Sequence, residues 1–470
     1  MTMPDIPFEI LWYATEWIIR IGALAVLPSR RSPAAARAWL LLIFFLPVPG
    51  LLLFLAIGSP NFPGWRMERF HRLMPYFAGV AAKLQAHHAT DVGGAAPVAQ
   101  LAHRLGHMPV SGGNAIELID DYDAVIDRLV ADIDAARRSV HILVYIFADD
   151  HVGQRVAAAL GRAVARRLEV RVMFDPVGSH RWRRGVRGML RAQGVDVREA
   201  LPFRLIRGRT RRDMRNHRKL FVIDGRIGYA GSQNIVAKDF RKGVVNRELV
   251  VRVTGPVVAS MDAVVRGDWS METGSLPTSP PTPSEAVGQA QVQLLPSGAA
   301  YPLDGFETLL VWQLHQARER VVIVTPYFIP DDDVLEAMLA AVVRGVEIDL
   351  ILSRVVDQRL VNFSQSSYYT DLLEGGVRIN LFPDHLLHAK HLSIDGRLAI
   401  VGSSNVDLRS FQLNEEASLL FYDAESIGRV EAIQQGYLAV GEWLDLEEWR
   451  RRPRIRKLAE NIARLMNSLL

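Results

Sequence analysis

The stretch NHRKLFVIDGRIGYAGSQN at residues 216–234, the first motif, decides the fold because it returns as LHAKHLSIDGRLAIVGSSN at residues 387–405, the second motif. The two motifs share a histidine, a lysine, a glycine-serine pair and an asparagine at the same spacing. Around each motif, short apolar runs rich in β-branched residues alternate with helical patterns, which is typical of an α/β fold. The sequence therefore predicts an α/β protein built from two related halves.

The repeat extends upstream of both motifs. RSVHILVYIFADD at 138–150 matches ERVVIVTPYFIPDD at 319–332, and each is an apolar strand pattern that ends in an acidic turn. Between the halves, METGSLPTSPPTPSEAVGQA at 271–290 is rich in proline, serine and threonine, a composition typical of a linker. We therefore predict one domain over residues 110–270 and a second over residues 291–470.

The N-terminal part of the chain is more apolar than the rest. Residues 8–27 are mostly apolar but include Glu16 and Arg20, whose four-residue spacing lets the side chains pair on a helix. Residues 39–58, WLLLIFFLPVPGLLLFLAIG, carry no charge over a length of about 20 residues, which is enough to cross ~30 Å of hydrocarbon. The two segments predict a transmembrane helical hairpin over residues 1–60.

Two other interpretations of the N-terminal segments fit less well than a membrane hairpin. A cleaved signal peptide begins with basic residues, whereas this chain begins with Asp5 and Glu9. A buried core helix rarely lacks a polar face over so many residues. Pro47 and Pro49 leave open that the second segment bends back instead of crossing. Arginines occur both in the loop between the two segments and after the second segment, so the positive-inside rule does not predict the orientation. Residues 61–109 are predicted to be a connecting segment.

The composition excludes some kinds of site. The chain of 470 residues contains no cysteine, which excludes disulfides, thiolate metal sites and a cysteine nucleophile. With 55 lysine and arginine residues against 51 aspartate and glutamate residues, it is only mildly basic, so an anionic partner must be bound by a local basic cluster. One arginine cluster precedes the first motif, and it either binds anionic head groups or only solubilises the chain. This cluster consists of Arg204, Arg207, Arg209, Arg211, Arg212 and Arg215.

Each motif presents an imidazole beside an ammonium group. On an extended strand alternate side chains share a face, so His217 points the same way as Lys219, and His388 the same way as Lys390. A lysine next to the imidazole disfavours a metal cation and favours an anion. Phosphate suits the rest of the motif, where hydroxyl and amide groups bind oxygen and glycines let the backbone approach closely. The residues predicted to support phosphate binding are Gly231, Ser232, Asn234, Gly402, Ser403 and Asn405.

Two motifs at one domain interface would supply the two histidines that a two-step displacement at phosphorus requires. One imidazole attacks phosphorus and the other transfers protons. Each imidazole also needs a carboxylate that fixes its tautomer. Glu248 in VVNRELVV and Glu416 in QLNEEASLL lie on the strand-like runs that follow the first and the second motif. We predict that each glutamate orients the histidine of its own half.

Both motifs follow the pattern H-x-K-x4-D-x6-G-S-x-N without departure, and this doubled pattern resembles the phospholipase D superfamily. Two copies in one chain, behind a hydrophobic N-terminal hairpin, are similar to bacterial cardiolipin synthases. The resemblance covers essentially the whole chain. It includes Asp224 and Asp395 in the catalytic set with the histidines and lysines, although each lies at a predicted turn, out of phase with its histidine.

The resemblance implies a fold and a reaction. The fold is a pair of phospholipase D-like α/β/α sandwich domains related by a pseudo-twofold axis. The reaction is a phosphatidyl transfer without metal or cofactor, in which two phosphatidylglycerol molecules give cardiolipin and glycerol through a phosphohistidine. By analogy, His217 is the nucleophile and His388 the acid and base, although the two roles could be exchanged. The implied partners are phosphatidylglycerol and the lipid bilayer of the bacterial inner membrane, with no nucleic acid.

Three other functions are compatible with parts of the sequence. A lipid hydrolase would use the same motifs, with water in place of a lipid alcohol. A nuclease would use the same phosphodiester chemistry and bind backbone phosphates through the arginine cluster, but no aromatic and basic stacking surface accompanies that cluster. A catalytically silent scaffold would not need two intact motifs. Two further histidines near the second motif, His385 and His391, are predicted to be structural or surface residues.

The C-terminal sequence RRRPRIRKLAENIARLMNSLL predicts an amphipathic helix behind a basic stretch. Such a helix either lies in the membrane interface or packs on the second domain. Its apolar stripe is formed by Leu458, Ile462, Leu465, Met466 and Leu469.

Overall fold

The protein is described by a computed structural model that covers residues 8–30, 33–58, 62–89, 92–203 and 213–465. The chain forms two compact units, which we call the N-terminal unit (residues 1–62 and 203–213) and the body (residues 63–202 and 214–470). The α-helices are α1 (Phe8–Arg30), α2 (Pro33–Phe45), α3 (Pro47–Ile57), α4 (Gly64–Leu84), α5 (Ala96–Gly106), α6 (Tyr122–Ala135), α7 (His151–Ala165), α8 (Arg183–Ala192), α9 (Val258–Thr273), α10 (Gly305–Gln316), α11 (Asp332–Val343), α12 (Arg359–Ser367), α13 (Tyr369–Glu374), α14 (Leu408–Gln412), α15 (Ala424–Val440), α16 (Leu446–Arg450) and α17 (Arg454–Arg464). The strands are β1 (Ser111–Ile119), β2 (Ser139–Val144), β3 (Glu169–Phe174), β4 (Asp196–Glu199), β5 (Leu220–Ile223), β6 (Ile227–Gly231), β7 (Asn246–Arg247), β8 (Val250–Thr254), β9 (Ala290–Ser297), β10 (Arg320–Val324), β11 (Phe328–Ile329), β12 (Glu347–Ser353), β13 (Arg378–Phe382), β14 (Leu386–Leu387), β15 (His391–Ile394), β16 (Leu398–Gly402), β17 (Val406–Asp407), β18 (Glu416–Phe421) and β19 (Glu442–Trp443).

The described part of the N-terminal unit contains α1, α2 and α3. The segment Phe8–Ser29 of α1 is apolar and long enough to cross a membrane. The second predicted segment is broken at Leu46, because Pro47 and Pro49 begin a new helix there. With 13 and 11 residues, α2 and α3 span only about 20 Å and 17 Å. Within the described residues, α1 is the one helix that can span a membrane by length and composition, so the prediction of two spanning helices is not confirmed.

The helices of the N-terminal unit pack against one another through small and branched side chains. Ala23 and Leu27 of α1 form a buried cluster with Ala36 and Ile43 of α2. The ion pair predicted within α1 is present, since Arg20 Nη2 lies 3.2 Å from the Glu16 carboxylate. The Arg20 guanidinium also donates to the backbone carbonyl at the end of α2.

One sheet of 15 strands runs through the body, in the order β19-β13-β12-β10-β15-β16-β18-β9-β1-β8-β6-β5-β2-β3-β4. Outward from the central antiparallel pair of β9 and β1, the two halves repeat the same order, and β19 adds an edge strand to the second half. Parallel pairing of β2 with β3 in the first half is repeated by β10 with β12 in the second. This order confirms the prediction of two repeated α/β halves with pseudo-twofold symmetry.

Helices cover both faces of the sheet in the first half, and the side chains of β2 are buried on both sides. Val140, Ile142 and Val144 of β2 belong to a buried cluster with α6 and α7. Between them, His141 points to the other face, where its Nδ1 lies 3.0 Å from Asp262 of α9. The alternation of side chains along β2 thus fixes one helix layer on each face.

The second half repeats this two-sided packing. Leu392 and Ile394 of β15 belong to the cluster formed with α10 and α11, whereas His391 Nδ1 lies 3.2 Å from Gln434 of α15. Burial lowers the pKa of His391 to about 3, so this histidine is a neutral core residue, as predicted. His385 lies on the exposed surface, which also agrees with its prediction.

The halves do not separate into independent domains, because each contributes strands and bridges to the other. Besides the pairing of β9 with β1, the short strand β14 of the second half pairs in parallel with β7 of the first. A similar bridge joins Asn216 to Glu415. In both cases the chain crosses to the other half immediately before the histidine of a motif.

Two packed helices, α4 and α5, occupy most of the predicted connecting segment. Close packing of α4 on α9 is visible at Gly267, where an added Cβ would lie 3.1 Å from the ring of Phe77. Residues 274–289, which lie within the predicted linker, carry no regular secondary structure. The linker lies against the body, since Lys83 Nζ donates to the carbonyl of Pro280 at 2.6 Å.

Candidate active site

The two motif histidines line one cavity of about 380 Å³ in the body. Each histidine lies just before a central strand of its half, β5 or β15. The His217 N–H donates to the Glu415 carbonyl at 2.8 Å, and the His388 N–H donates to the Arg247 carbonyl, also at 2.8 Å. These reciprocal hydrogen bonds to the opposite half bring two distant residues to the same cavity.

The carboxylate that holds each imidazole comes from the opposite half. His217 Nδ1 lies 2.9 Å and 3.1 Å from the carboxylate oxygens of Glu416. His388 Nδ1 lies 2.8 Å and 2.9 Å from those of Glu248. The prediction that each glutamate orients the histidine of its own half is therefore wrong, although the glutamates are the ones predicted. The crossing of the chain before each histidine is the cause, because it sets the imidazole beside the other half's glutamate.

Burial is the largest influence on the charges of these four groups. It lowers the pKa of His217 and lowers the pKa of His388 to about 3, although the glutamates oppose the shift. Against the effect of burial, the paired imidazole keeps the pKa of Glu416 and of Glu248 below the usual value. Each neutral imidazole then donates from Nδ1 to a carboxylate and keeps a lone pair on Nε2. This is the form that can attack phosphorus.

The motif lysines are buried beside the histidines. Lys219 Nζ donates to the His217 carbonyl at 2.7 Å, and Lys390 Nζ donates to the His388 carbonyl at 2.5 Å. Burial lowers the pKa of Lys219 to about 7 and that of Lys390 to about 8, although the glutamates oppose the shift. Neither lysine is part of the described cavity wall. A nearby anion favours the ammonium form, and direct phosphate contact by the lysines stays a prediction.

The motif serines contact the segments that contain Glu248 and Glu416. Ser403 Oγ donates to the Glu416 carboxylate. Ser232 Oγ donates to the Leu249 carbonyl at 3.2 Å and accepts from the Leu249 N–H at 3.0 Å. Neither serine is part of the described cavity wall. In the described structure they hold the backbone segment that carries each glutamate, and direct phosphate contact by these serines stays a prediction.

The motif glycines are needed because a neighbouring strand, and not a ligand, approaches them closely. A Cβ at Gly231 would lie 2.4 Å from the Leu249 carbonyl oxygen, and a Cβ at Gly402 would lie 2.7 Å from that of Ala417. Such distances are too short for any side chain, so only glycine lets these strands pair. The close backbone approach that we predicted for phosphate is thus an approach of the chain to itself.

The motif asparagines lie at the cavity. Asn234 and Asn405 both line it, and Asn234 Oδ1 accepts from the Ile146 N–H at 3.0 Å. An amide has donors and an acceptor at its end. These two side chains are therefore suited to hydrogen bonding with a bound phosphate, in agreement with the sequence hypothesis.

Asp224 and Asp395 lie at the far ends of the motif hairpins. The Asp224 carboxylate accepts three hydrogen bonds of 2.6–3.0 Å from the backbone N–H groups of residues 137–139, where β2 begins. Asp395 accepts three of 2.9 Å from residues 318–320, where β10 begins. Extended chain between an aspartate and its histidine spans about 20 Å. The structure does not bring these aspartates to the cavity, and we correct their predicted catalytic role to a structural one.

We expect Asp395→Asn to lower the free energy of unfolding by about 1–3 kcal/mol, because three backbone N–H groups lose a charged acceptor. Chemical unfolding in detergent measures this, with Asp384→Asn at an exposed turn as the matched control. A catalytic role would give the reverse pattern, in which stability is unchanged and activity is lost.

Sequence reasoning missed two tyrosines that pack beside the histidines. The Tyr145 ring lies edge-on to His217, with 4.7 Å between ring centroids, and the Tyr327 ring lies 6.4 Å from His388. Burial raises the pKa of Tyr145 to about 12, so it stays a neutral donor. The sequence could have identified them, because each tyrosine lies near the end of a repeated strand segment upstream of its motif.

Two asparagines that support the glutamates were also missed. Asn246 Nδ2 donates to Glu248 at 3.2 Å, and Asn414 Nδ2 donates to Glu416 at 3.4 Å. Both asparagines line the cavity. The pattern Asn-x-Glu, which occurs as NRE and NEE, could have identified them because it is repeated in both halves.

Three arginines, Arg215, Arg241 and Arg409, add positive charge to the cavity wall. Arg241 is ion-paired with Asp357 of the second half. Arg215 is the one member of the predicted arginine cluster among the described residues; it is buried, with Nη1 3.4 Å from Asp175. The other five arginines of that cluster lie outside the described residues.

A family model described as "Cardiolipin synthase, PLD-like domain" matches residues 129–269 and 310–436, one match in each half. The chain belongs to the cardiolipin synthase family. Cardiolipin synthase A of Serratia proteamaculans (strain 568) is 35% identical to it over 470 residues, which cover 97% of each chain. Cardiolipin synthase A of Citrobacter koseri (strain ATCC BAA-895 / CDC 4225-83 / SGSC4696) is 34% identical with the same coverage.

Solved structures of other proteins share the fold of this family member. A phosphatidylserine synthase from Haemophilus influenzae Rd KW20 superposes with a TM-score of 0.59 at 14% identity, over 80% of this chain and 100% of that chain. A polyphosphate kinase from Porphyromonas gingivalis gives a TM-score of 0.51 at 15% identity, over 76% and 53% of the two chains. At these identities the likeness shows the phospholipase D-like fold alone.

Proposed function

We propose that this chain is a cardiolipin synthase, which transfers a phosphatidyl group from one phosphatidylglycerol molecule to another. The supporting observation is that His217 and His388 line one cavity, each held through Nδ1 by a glutamate of the opposite half. Two imidazoles in one site supply both functions of a two-step displacement. Membership of the family and the printed names of its relatives support the choice of lipid.

In the first step, His217 Nε2 attacks the phosphorus of phosphatidylglycerol. A P–N bond forms, the P–O bond to the glycerol head group breaks, and His388 gives its proton to the departing oxygen. Burial lowers the pKa of His388 and keeps its imidazole neutral, so it takes up this proton when the phosphate is bound, since a nearby negative charge favours imidazolium. The step leaves a phosphatidyl group on His217 and releases glycerol.

In the second step, a head-group hydroxyl of another phosphatidylglycerol attacks the same phosphorus. His388, now neutral, takes the hydroxyl proton, the new P–O bond forms and the P–N bond to His217 breaks. The product is cardiolipin, His217 is free again, and His388 holds the proton that it donates in the next cycle or releases to solvent. The near symmetry of the two halves allows the same scheme with the histidines exchanged.

The residues around the cavity support a transfer that needs no metal. The charge on the phosphoryl oxygens would be met by the amides of Asn234 and Asn405, which line the cavity, and by the ammonium groups of Lys219 and Lys390, which lie beside the histidines but outside its described wall. In the described part of the chain, the three carboxylates near enough to one another to share an ion, Glu307, Asp331 and Asp333, are separate from the cavity wall.

Incubation of the purified protein with labelled phosphatidylglycerol tests the proposed function. We expect cardiolipin and free glycerol in equal amounts. Phosphatidic acid with glycerol, and no cardiolipin, would instead identify a lipid hydrolase that uses water in the second step.

Removal of divalent ions is expected to leave the rate of this reaction unchanged within about twofold, because lysines and amides stabilise the phosphoryl charge. The measurement is cardiolipin formation after dialysis against EDTA, compared with the same sample supplemented with Mg²⁺. A loss that Mg²⁺, Mn²⁺ or Zn²⁺ restores would contradict the metal-free mechanism.

We infer that the protein acts at the bacterial inner membrane, because its proposed phospholipid substrate is a membrane lipid. The apolar segment Phe8–Ser29 of α1 supports a membrane anchor. A second pass would have to use α2 and α3 together, because each is shorter than the hydrocarbon core. Labelling of cysteines introduced on either side of α1 in intact cells distinguishes one pass from two.

A further inference from the structure

The C-terminal helix α17 carries an apolar face that the body leaves uncovered. Large apolar side chains recur there at spacings of three and four residues, which places them on one side of the helix. Their exposed fractions lie between 53% and 84%. They are Ile455, Leu458, Ile462 and Leu465. A contiguous apolar face of this kind indicates an interaction surface.

The opposite face of α17 fixes the helix in this orientation. Glu460 and Ala463 are buried, with exposed fractions of 1% and 2%. Arg452 Nη2 lies 2.7 Å and Arg456 Nε 3.2 Å from the Glu460 carboxylate. A buried ion pair is costly to break, so the helix cannot easily turn its apolar face inward. The sequence left open whether this helix packs on the second half or lies in the membrane interface. The helix does pack on the second half, but its apolar stripe faces outward.

The residues beside this face are mainly basic, and four of them, Arg450, Arg452, Arg456 and Arg464, are ion-paired with acidic residues of the body. Between residues 450 and 465 there are seven basic residues and one acidic residue, the inward-facing Glu460. Arg454, Lys457 and Arg464 follow one edge of the apolar face. Basic residues that flank an exposed apolar stripe complement an anionic lipid surface. A second copy of this chain is a poorer occupant, because a twofold contact would bring the same positive edge against itself.

The position of α17 connects this face to the active site. α17 packs along α12. From α12, Val361 lines the cavity, as does Gln358 immediately before the helix. The uncovered apolar face therefore lies one helix away from the wall of the cavity.

We propose that the apolar face of α17 rests in the head-group region of an anionic bilayer and so turns the body's active site toward its lipid. This second membrane contact goes beyond the proposed function, in which no step depends on α17. It is also separate from the anchor in the N-terminal unit. The occupant is the lipid surface itself, with the basic edge on the head groups and the four apolar side chains among the upper parts of the acyl chains.

The absence of cysteine from the chain allows a direct test by a single spin label. The full-length variant Leu458→Cys, carrying a nitroxide, is reconstituted in vesicles of phosphatidylglycerol and phosphatidylcholine. We expect a label depth of about 5–10 Å below the head groups from its accessibility to oxygen and to a polar nickel complex. Val343→Cys is the matched control, because Val343 is an apolar residue of α11 with an exposed fraction of 87%. A label at Leu458 that is as accessible to nickel as the control overturns the proposal, as does spin–spin broadening from a second copy.

An activity measurement gives a second, independent result. We expect Leu458→Glu combined with Ile462→Glu to reduce cardiolipin formation on vesicles by at least about tenfold, since two apolar side chains lose their lipid environment. The rate with substrate in detergent micelles should be unchanged, and Val343→Glu should be unaffected in both. An equal loss in micelles, or no loss on vesicles, contradicts the role of α17. If the unaltered protein makes no cardiolipin, the proposed function fails while the depth measurement still decides the membrane contact.

Discussion

Replacing either His217 or His388 with alanine is expected to reduce cardiolipin formation by at least about 10²–10⁴-fold. The large effect of both variants follows from the shared cavity, because each half supplies one of the two imidazoles that the reaction needs. The measurement is the initial rate with labelled phosphatidylglycerol, at equal amounts of folded protein.

The matched control for these variants is His385→Ala, three positions from His388 but on the exposed surface. We expect this variant to keep full activity. If His388→Ala stays active as well, the second half is only a structural duplicate, and the account of two cooperating halves is wrong.

Changing either glutamate to glutamine is expected to lower the rate by about 10²–10⁴-fold, because the imidazole loses the carboxylate that fixes its tautomer and stabilises its charge. The crosswise pairing makes a more specific prediction. Glu416→Gln should impair the nucleophile His217, whereas Glu248→Gln should impair proton transfer by His388.

A phosphatidyl donor with a good leaving group separates these two effects, since its departing oxygen needs no proton. Glu248→Gln should still form the covalent adduct with this donor, as should His388→Ala. Glu416→Gln should form it slowly or not at all, as should His217→Ala. The reverse pattern would mean that each glutamate serves the histidine of its own half, and thermal unfolding of both variants checks that neither loss is a loss of fold.

The repeated motifs were sufficient to predict the duplicated fold and four residues of the cavity wall, His217, Asn234, His388 and Asn405. Spacing predicts which side chains share a face, because residues two positions apart on an extended chain point the same way. This holds for His217 with Lys219 and for His388 with Lys390, whichever strand pairs with them. The same spacing also indicated correctly that Asp224 is out of phase with its histidine, although the resemblance to the superfamily grouped the two together.

The pairing of the histidines could not be predicted from spacing, because it depends on where the chain crosses between halves. Glu248 is nearer to His217 in sequence, yet the hydrogen bonds of the His217 backbone to the second half turn its imidazole toward Glu416. Likewise, Gly231 has the same backbone freedom whether a phosphate or a strand approaches it, and only the tertiary structure identifies the Leu249 carbonyl. In the N-terminal unit, Pro47 outweighed an apolar run that hydropathy alone interprets as one helix.

The most direct test of the central claim is to trap the covalent intermediate and map it. The unaltered protein is mixed with a phosphatidyl donor labelled at phosphorus, quenched in alkali after a short time, where phosphohistidine persists, and digested for peptide mass analysis. We predict the label on His217, its absence in His217→Ala, and some label on His217 in His388→Ala. Cardiolipin formed with no label on either histidine would contradict the two-step mechanism and favour direct attack of one lipid on the other.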